Sequence, residues 1–325
     1  MSGSQNQYLI GLDKTPANFV PLSPLSFLAR TAAVYPDHIS TVYEDRVFTW
    51  SETRARCHRL ASYLASRNIG PGDTVAAMLP NIPAMNEVHF AVPVAGAVLN
   101  ALNIRLDAPS IAFQLDHGGA KLILVDPEFA NVIAEALTLM TGPKPFVVDV
   151  DDSAFAGGRR IGDIEYEEAL SQGDPGFIAR PPHDEWDAIA LSYTSGTTGN
   201  PKGVVTHHRG AFLNAMGNAI AFGLTAESVY LWTLPMFHCN GWTYTWAVTS
   251  VCGTHVCLRR VEPTAIFAAI AEHRVTHLCG APIVLNLLVH APESVKRRFD
   301  HIVEAATGGA APPSAVIEAM ERMGF

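Results

Sequence analysis

Residues 191–210 read LSYTSGTTGNPKGVVTHHRG, from Leu191 to Gly210, and the rest of the chain is interpreted outward from them. On the left, Asp187 to Tyr193 (DAIALSY) is a short apolar run of the kind that makes a buried strand. The centre gathers Thr194, Ser195, Gly196, Thr197, Thr198 and Gly199, then Asn200, Pro201, Lys202 and Gly203. So many Gly, Ser, Thr and Pro residues belong in no helix or strand interior, so the centre is a loop. Glycine lets backbone come close to a ligand. Successive N–H groups and hydroxyls then make an anion cradle that suits a phosphate. Lys202 adds a mobile point charge. The Walker A pattern fails here: Pro201 stands where glycine should precede the lysine, and Gly203 where Ser or Thr should hold magnesium. A P-loop kinase or GTPase is thereby disfavoured.

Upstream, Pro16, Pro21 and Pro24 mark an extended lead-in up to about Leu25. Ile39 to Tyr43 and Val47 to Trp50 flank Glu44-Asp45-Arg46 as a hairpin. Ser51 caps a helix to about Asn68 that stops at Gly70-Pro71. Apolar runs at Thr74–Leu79, Val98–Leu102, Lys121–Val125 and Phe146–Val150 then alternate with helix-length segments. This alternation predicts an α/β protein whose parallel sheets are covered on both faces. Residues 151–186, with Gly157-Gly158 and Pro181-Pro182, form a soft boundary. The expected organisation is a lead-in and hairpin over 1–50, a first α/β lobe over 51–186 and a second over 187–325.

Beyond the loop, a helix is expected from His208 to Phe222, with strands at Val229–Leu234, Thr254–Leu258, Thr276–Cys279 and Ile302–Ala306. Ligands of such sheets gather at loops after strand carboxyl ends. Thr194–Gly203, Pro235–Trp242, Gly280-Ala281-Pro282 and Thr307–Pro312 are therefore expected together at one edge of one sheet.

The 325 residues are 48% hydrophobic and 16% charged, which describes a globular chain able to bury a large core. A net charge of −9, from 22 basic and 31 acidic residues, argues against nucleic acid as a partner. Five cysteines without a C-x-x-C pair, and no secretory start, lead to an expectation of a reducing, cytoplasmic setting. The apolar region Val88 to Leu102 is interrupted by Pro93, Gly96 and Asn100, so it is read as a helix running into a strand, not a membrane span. Cys252, His255 and Cys257 are read as buried strand residues because their spacing fits no usual zinc pattern. His207-His208 is read as a helix entry; Arg105 and Arg259-Arg260 are read as surface charges.

With these residues in view, S-G-T-T-G-x-P-K-G after Tyr193-Thr194 resembles the signature loop of the adenylate-forming (AMP-binding) superfamily, which includes acyl-CoA synthetases and aryl-CoA ligases. The segment Leu234-Pro-Met-Phe-His238 resembles the family motif whose histidine closes the substrate pocket. The resemblance implies two catalytic residues, Lys202 and His238, and an acyl pocket of His238, Cys239, Asn240 and Trp242. It implies that Thr194 helps hold Mg²⁺ with ATP, and that Gly309, Ala310 and Ala311 of T-G-G-A-A-P line the nucleotide alongside the loop residues 194–199 and Lys202. The implied reaction takes a fatty or related carboxylic acid, ATP and CoA through acyl-AMP to acyl-CoA, with an aryl acid or a non-catalytic nucleotide-binding fragment as alternatives. A homodimer is compatible with it, and a transmembrane segment is not expected. The family's Y-G-x-T-E segment, hinge and small C-terminal domain are not found, so the chain is expected to be an incomplete synthetase that adenylates poorly alone.

Overall fold

The computed structural model describes residues 6–194 and 200–325. Its thirteen strands among these residues are β1 (Ile39–Tyr43), β2 (Arg46–Thr49), β3 (Thr74–Met78), β4 (Val98–Ala101), β5 (Ala120–Val125), β6 (Phe146–Asp149), β7 (Ile164–Glu165), β8 (Ala188–Tyr193), β9 (Gly203–His207), β10 (Val229–Leu231), β11 (Thr254–Val256), β12 (His277–Gly280) and β13 (Glu304–Thr307). They form two sheets. The first runs β7-β6-β5-β3-β4-β8-β9 and the second β13-β12-β10-β11-β1-β2. All neighbours pair in parallel except β8 with β9 and β1 with β2, so each sheet ends in one antiparallel strand.

Sheet membership does not follow the boundary drawn at 186/187. Strands β8 and β9 pair into the first sheet, and the hairpin β1–β2 joins the second through β11, some two hundred residues later. The chain thus starts the second sheet, builds the whole of the first, and returns.

Alternation along a strand sends neighbouring side chains to opposite faces. In β3, Val75 and Ala77 enter one core cluster while Ala76 and Met78 enter another. The first cluster runs from Leu99 and Leu122 of one sheet through Leu60, Phe90 and Trp246 on helices to Tyr230 of the other. The helices lying between the sheets are therefore covered from both sides. Helix Pro83–Val94 is buried at every residue, which explains why its sequence shows no polar face. Its Glu87 is satisfied by Arg56 at 2.6 Å and by the Tyr166 hydroxyl at 2.5 Å. Helices Ala108–Gly118 and Ala130–Leu139 cover the far face of the first sheet; Pro263–His273, Pro282–Val289 and Ser314–Met323 cover that of the second.

Several local expectations change. The helix over 50–66 is capped by Thr49, not Ser51: the Thr49 hydroxyl accepts from the Glu52 amide while the Glu52 carboxylate accepts from the Thr49 amide. The lead-in gives way to a helix at Leu25–Val34. Residues 203–207 form β9, because Val204, Val205 and Thr206 are β-branched and fit a pleated edge. His255 is buried between the Trp232 indole and the Thr249 hydroxyl, and burial lowers its pKa to about 3, so it stays neutral within its strand. No group of metal-ligating side chains occurs among the described residues, and no helix there is long and apolar enough to cross a membrane.

Arg259 is not a surface charge. Only 5% of its side chain is exposed, and its guanidinium donates to Asp126 and Asp152, both buried, and to Glu128. Asp126 follows β5 of the first sheet and Arg259 lies past β11 of the second, so the cluster joins the two sheets. The neighbouring carboxylates raise the Arg259 pKa against the opposing effect of burial.

Candidate functional site

The four loops singled out from the sequence come from two sheets rather than one. Strands β10, β12 and β13 lie in the second sheet, so their following loops share its carboxyl edge. Strand β8 belongs to the first sheet and runs parallel to β4. The two groups meet through side chains: the Ser192 hydroxyl at the end of β8 donates to the Asn240 side-chain carbonyl at 2.9 Å. The candidate site therefore lies where loops of the two sheets meet.

On the first sheet's side, β8 and β9 are a hairpin whose loop is the glycine-rich stretch. The Thr194 amide donates to the Lys202 carbonyl at 3.1 Å, and Tyr193 faces Gly203. Thr194 and Lys202 are both exposed at the loop's base. Ser195, Gly196, Thr197, Thr198 and Gly199 lie outside the described residues. Tyr193 is set against Phe113 and His117, its hydroxyl 2.8 Å from His117 Nδ1, and burial raises its pKa. Past β9, His207 caps helix His208–Ala221 by accepting from the Gly210 amide, which is the helix-entry role expected of it. His208 is buried against the Ser23 hydroxyl, and burial lowers its pKa to about 4.

On the second sheet's side, the segment after β10 has an unusual backbone. Cys239, Asn240, Gly241, Trp242 and Thr243 all have φ between 44° and 64°, in the left-handed region. A non-glycine residue held there costs roughly 1–2 kcal/mol, so this run needs several kcal/mol of compensation from outside. Part of it comes from the first sheet. Asn81, buried in the loop after β3, donates to the carbonyls of Trp232 and Leu234 at 2.8 and 2.9 Å and accepts from the Met236 amide at 2.8 Å. The rest comes from asparagines on helix His208–Ala221 and from Ser192. The sequence alone shows none of these partners; an Asn two residues past the strand expected at Thr74–Leu79 was the only visible hint.

His238 leads into the turn with its side chain exposed, and Cys239 is likewise exposed. Asn240 is 3% exposed, with one amide oxygen held by Ser192 and an amide nitrogen that has no partner among the described residues. Trp242 is half-buried and lies across the loop after β13: a Cβ on Gly308 would stand 2.5 Å from the Trp242 ring. Gly308 is there because the indole is. Gly309 has φ of 85° with open space around it, and Ala310 and Ala311 are exposed beside it. Beneath, Cys279 at the end of β12 has its pKa raised to about 11 by burial and stays a neutral thiol.

Two α/β layers joined by this contact, with the β8–β9 hairpin on one lip and a histidine-led turn on the other, match a family of known enzymes. The chain belongs to the AMP-binding enzyme family, whose model matches residues 28–325. Among curated relatives, it is 48% identical to the peroxisomal acetate/butyrate–CoA ligase AAE7 of Arabidopsis thaliana, over 97% of this chain and 57% of that protein. The chain therefore spans a little over half the length of that relative. Among solved structures, the inhibitor-bound N-terminal domain of FACL13 from Mycobacterium tuberculosis superposes with a TM-score of 0.81 at 26% identity, covering 93% of this chain and 73% of that one. O-succinylbenzoate coenzyme A synthetase (MenE) from Bacillus subtilis, in complex with ATP and magnesium ion, gives 0.75 at 25% identity, covering 92% and 57%.

Proposed function

We propose that this chain is the nucleotide- and acid-binding portion of an ATP-dependent carboxylate–CoA ligase that acts on a short aliphatic acid. The observation that carries the reading is the hydrogen bond from Ser192 to Asn240, which joins the strand leading into the phosphate-type loop to the His238–Thr243 turn. An enzyme that makes a carboxylate attack a phosphate must hold both in one place. Most of the rate then comes from positioning and from stabilising charge on the phosphates.

Placement supports a role for each residue. Lys202, exposed at the base of the loop, supplies positive charge toward the phosphates, and the Thr194 hydroxyl beside it is suited to the magnesium–phosphate end of the nucleotide. The family name, the MenE complex with ATP and magnesium, and this pair of exposed donors together support ATP and Mg²⁺ as ligands. Gly309, with open space where a side chain would stand, suits a planar base lying on backbone, with Ala310 and Ala311 beside it. His238, Cys239, Asn240 and Trp242 form the acid subsite, where buried Asn240 offers an amide to a carboxyl oxygen. When bound, ATP supplies the leaving group that turns a carboxylate into an acylating agent, and CoA takes the acyl group afterwards. The named substrates of the Arabidopsis relative favour an acid of two to four carbons over a long fatty acid or an aryl acid. Five free thiols suit a reducing compartment, and cytoplasm or peroxisome would both serve.

Calorimetric titration of the chain with ATP·Mg²⁺ and with butyryl-AMP tests this directly. Binding of both is expected, with ATP–pyrophosphate exchange well below that of a complete ligase. Absence of binding by either compound overturns the reading.

A further inference from the structure

Of the five residues in the left-handed run at 239–243, only Gly241 adopts that conformation without steric penalty. Such a run does not persist on local preference. Its downstream end meets Asn214 and Asn218, which stand one turn apart on helix His208–Ala221 and so share a face. The Asn218 amide donates to the Trp242 carbonyl at 2.7 Å and to the Thr243 hydroxyl oxygen at 3.1 Å. The Asn214 amide donates to the same Thr243 oxygen at 3.1 Å. This helix follows β9 without a break, and β9 carries the return limb of the loop that holds Lys202. One rigid run of chain therefore leads from the phosphate-type loop to the clamp on the turn.

We propose that Asn214 and Asn218 are positioning residues for the acid subsite. Their two side-chain amides hold residues 239–243 in the left-handed form, and so set where Asn240 and Trp242 stand relative to a carboxylate. The positioning half of the proposal rests on reading that turn as the acid subsite; the clamp itself does not. Asn218 carries more of the hold than Asn214, because it alone reaches backbone. A carboxylate at 214 can still accept from the Thr243 hydroxyl, whereas one at 218 can no longer donate to the Trp242 carbonyl and repels it.

The test compares Asn218→Asp with Asn214→Asp in the 325-residue chain by hydrogen exchange and calorimetry. Asn218→Asp is expected to speed amide exchange across 239–243 at least tenfold and to weaken butyryl-AMP binding at least tenfold. ATP·Mg²⁺ affinity should stay within twofold, a split that general loosening of the fold would not produce. Asn214→Asp should change both readouts threefold or less. If Asn218→Asp fails to fold, Thr243→Ala removes the shared acceptor from outside the helix and should speed the same exchange at least threefold. Unchanged exchange in 239–243 overturns the clamp. Faster exchange with undiminished butyryl-AMP affinity overturns the positioning role. Failure of the unsubstituted chain to bind butyryl-AMP removes the acid-subsite reading and the positioning half with it, while the exchange rates still decide the clamp.

Discussion

The two lips of the candidate site are built on opposite plans. The hairpin loop between β8 and β9 is marked by its own composition, and its described ends are tied chiefly to each other, Thr194 to Lys202. The segment from Pro235 to Thr243 is suspended from elsewhere: Asn81 holds its upstream half, Asn214 and Asn218 its downstream half, and Ser192 its middle. The first plan makes composition the signature of the site. The second makes partners the signature, and those partners are distant in sequence. It also separates function from stability differently. Changes in the first lip should alter ligand binding alone, whereas changes around the second should alter folding and binding together.

Asn81→Ala is the strongest way to break this contrast. It strips hydrogen bonds from three backbone groups around a buried loop, and unsatisfied buried groups cost about 1–3 kcal/mol each, so a loss of roughly 3 kcal/mol or more is expected. Urea denaturation measures it, and a loss below 1 kcal/mol would mean that the segment holds itself. Gly308→Ala comes next. The added methyl meets the Trp242 ring, and overpacking typically costs about 1–3 kcal/mol. Adding Trp242→Ala should recover most of that loss, so a double-mutant cycle with no coupling would place the indole elsewhere. Lys202→Ala has the smallest effect on stability, within about 0.5 kcal/mol as for ordinary exposed positions. Its ATP·Mg²⁺ affinity should nevertheless drop about tenfold or more by calorimetry, as expected for removing a charge that pairs with phosphate. Equal ATP affinity in this variant would detach the lysine from the phosphates.

How much of this could be read beforehand follows the same division. The glycine-rich loop, the alternation of strands and helices, and the turn from helix into strand over 83–101 are local patterns, and local patterns are legible. Strand β9 was hidden because the Pro201-Lys202-Gly203 leading into it reads as loop, although the Val204-Val205-Thr206 that follows is strand-like. The exchange of strands between sheets was hidden for a different reason. Hydrophobic periodicity says that β1 is a strand but not that its parallel neighbour, β11, arrives two hundred residues later. Arg259 is the sharpest case. An Arg-Arg pair near a helix start reads as solvated because arginine is rarely buried unless paired, and the partners of Arg259, Asp126 and Asp152, stand 133 and 107 residues away. Neither carboxylate carries a local mark that it is waiting for a cation.

That buried cluster also bears on how the molecule can move. Arg259 pins the end of a strand from one sheet to the start of the next segment from the other. Hinging the sheets apart would break the ion pairs of Arg259 with two buried carboxylates, Asp126 and Asp152, at once. The cluster therefore opposes any motion that spreads the two sheets.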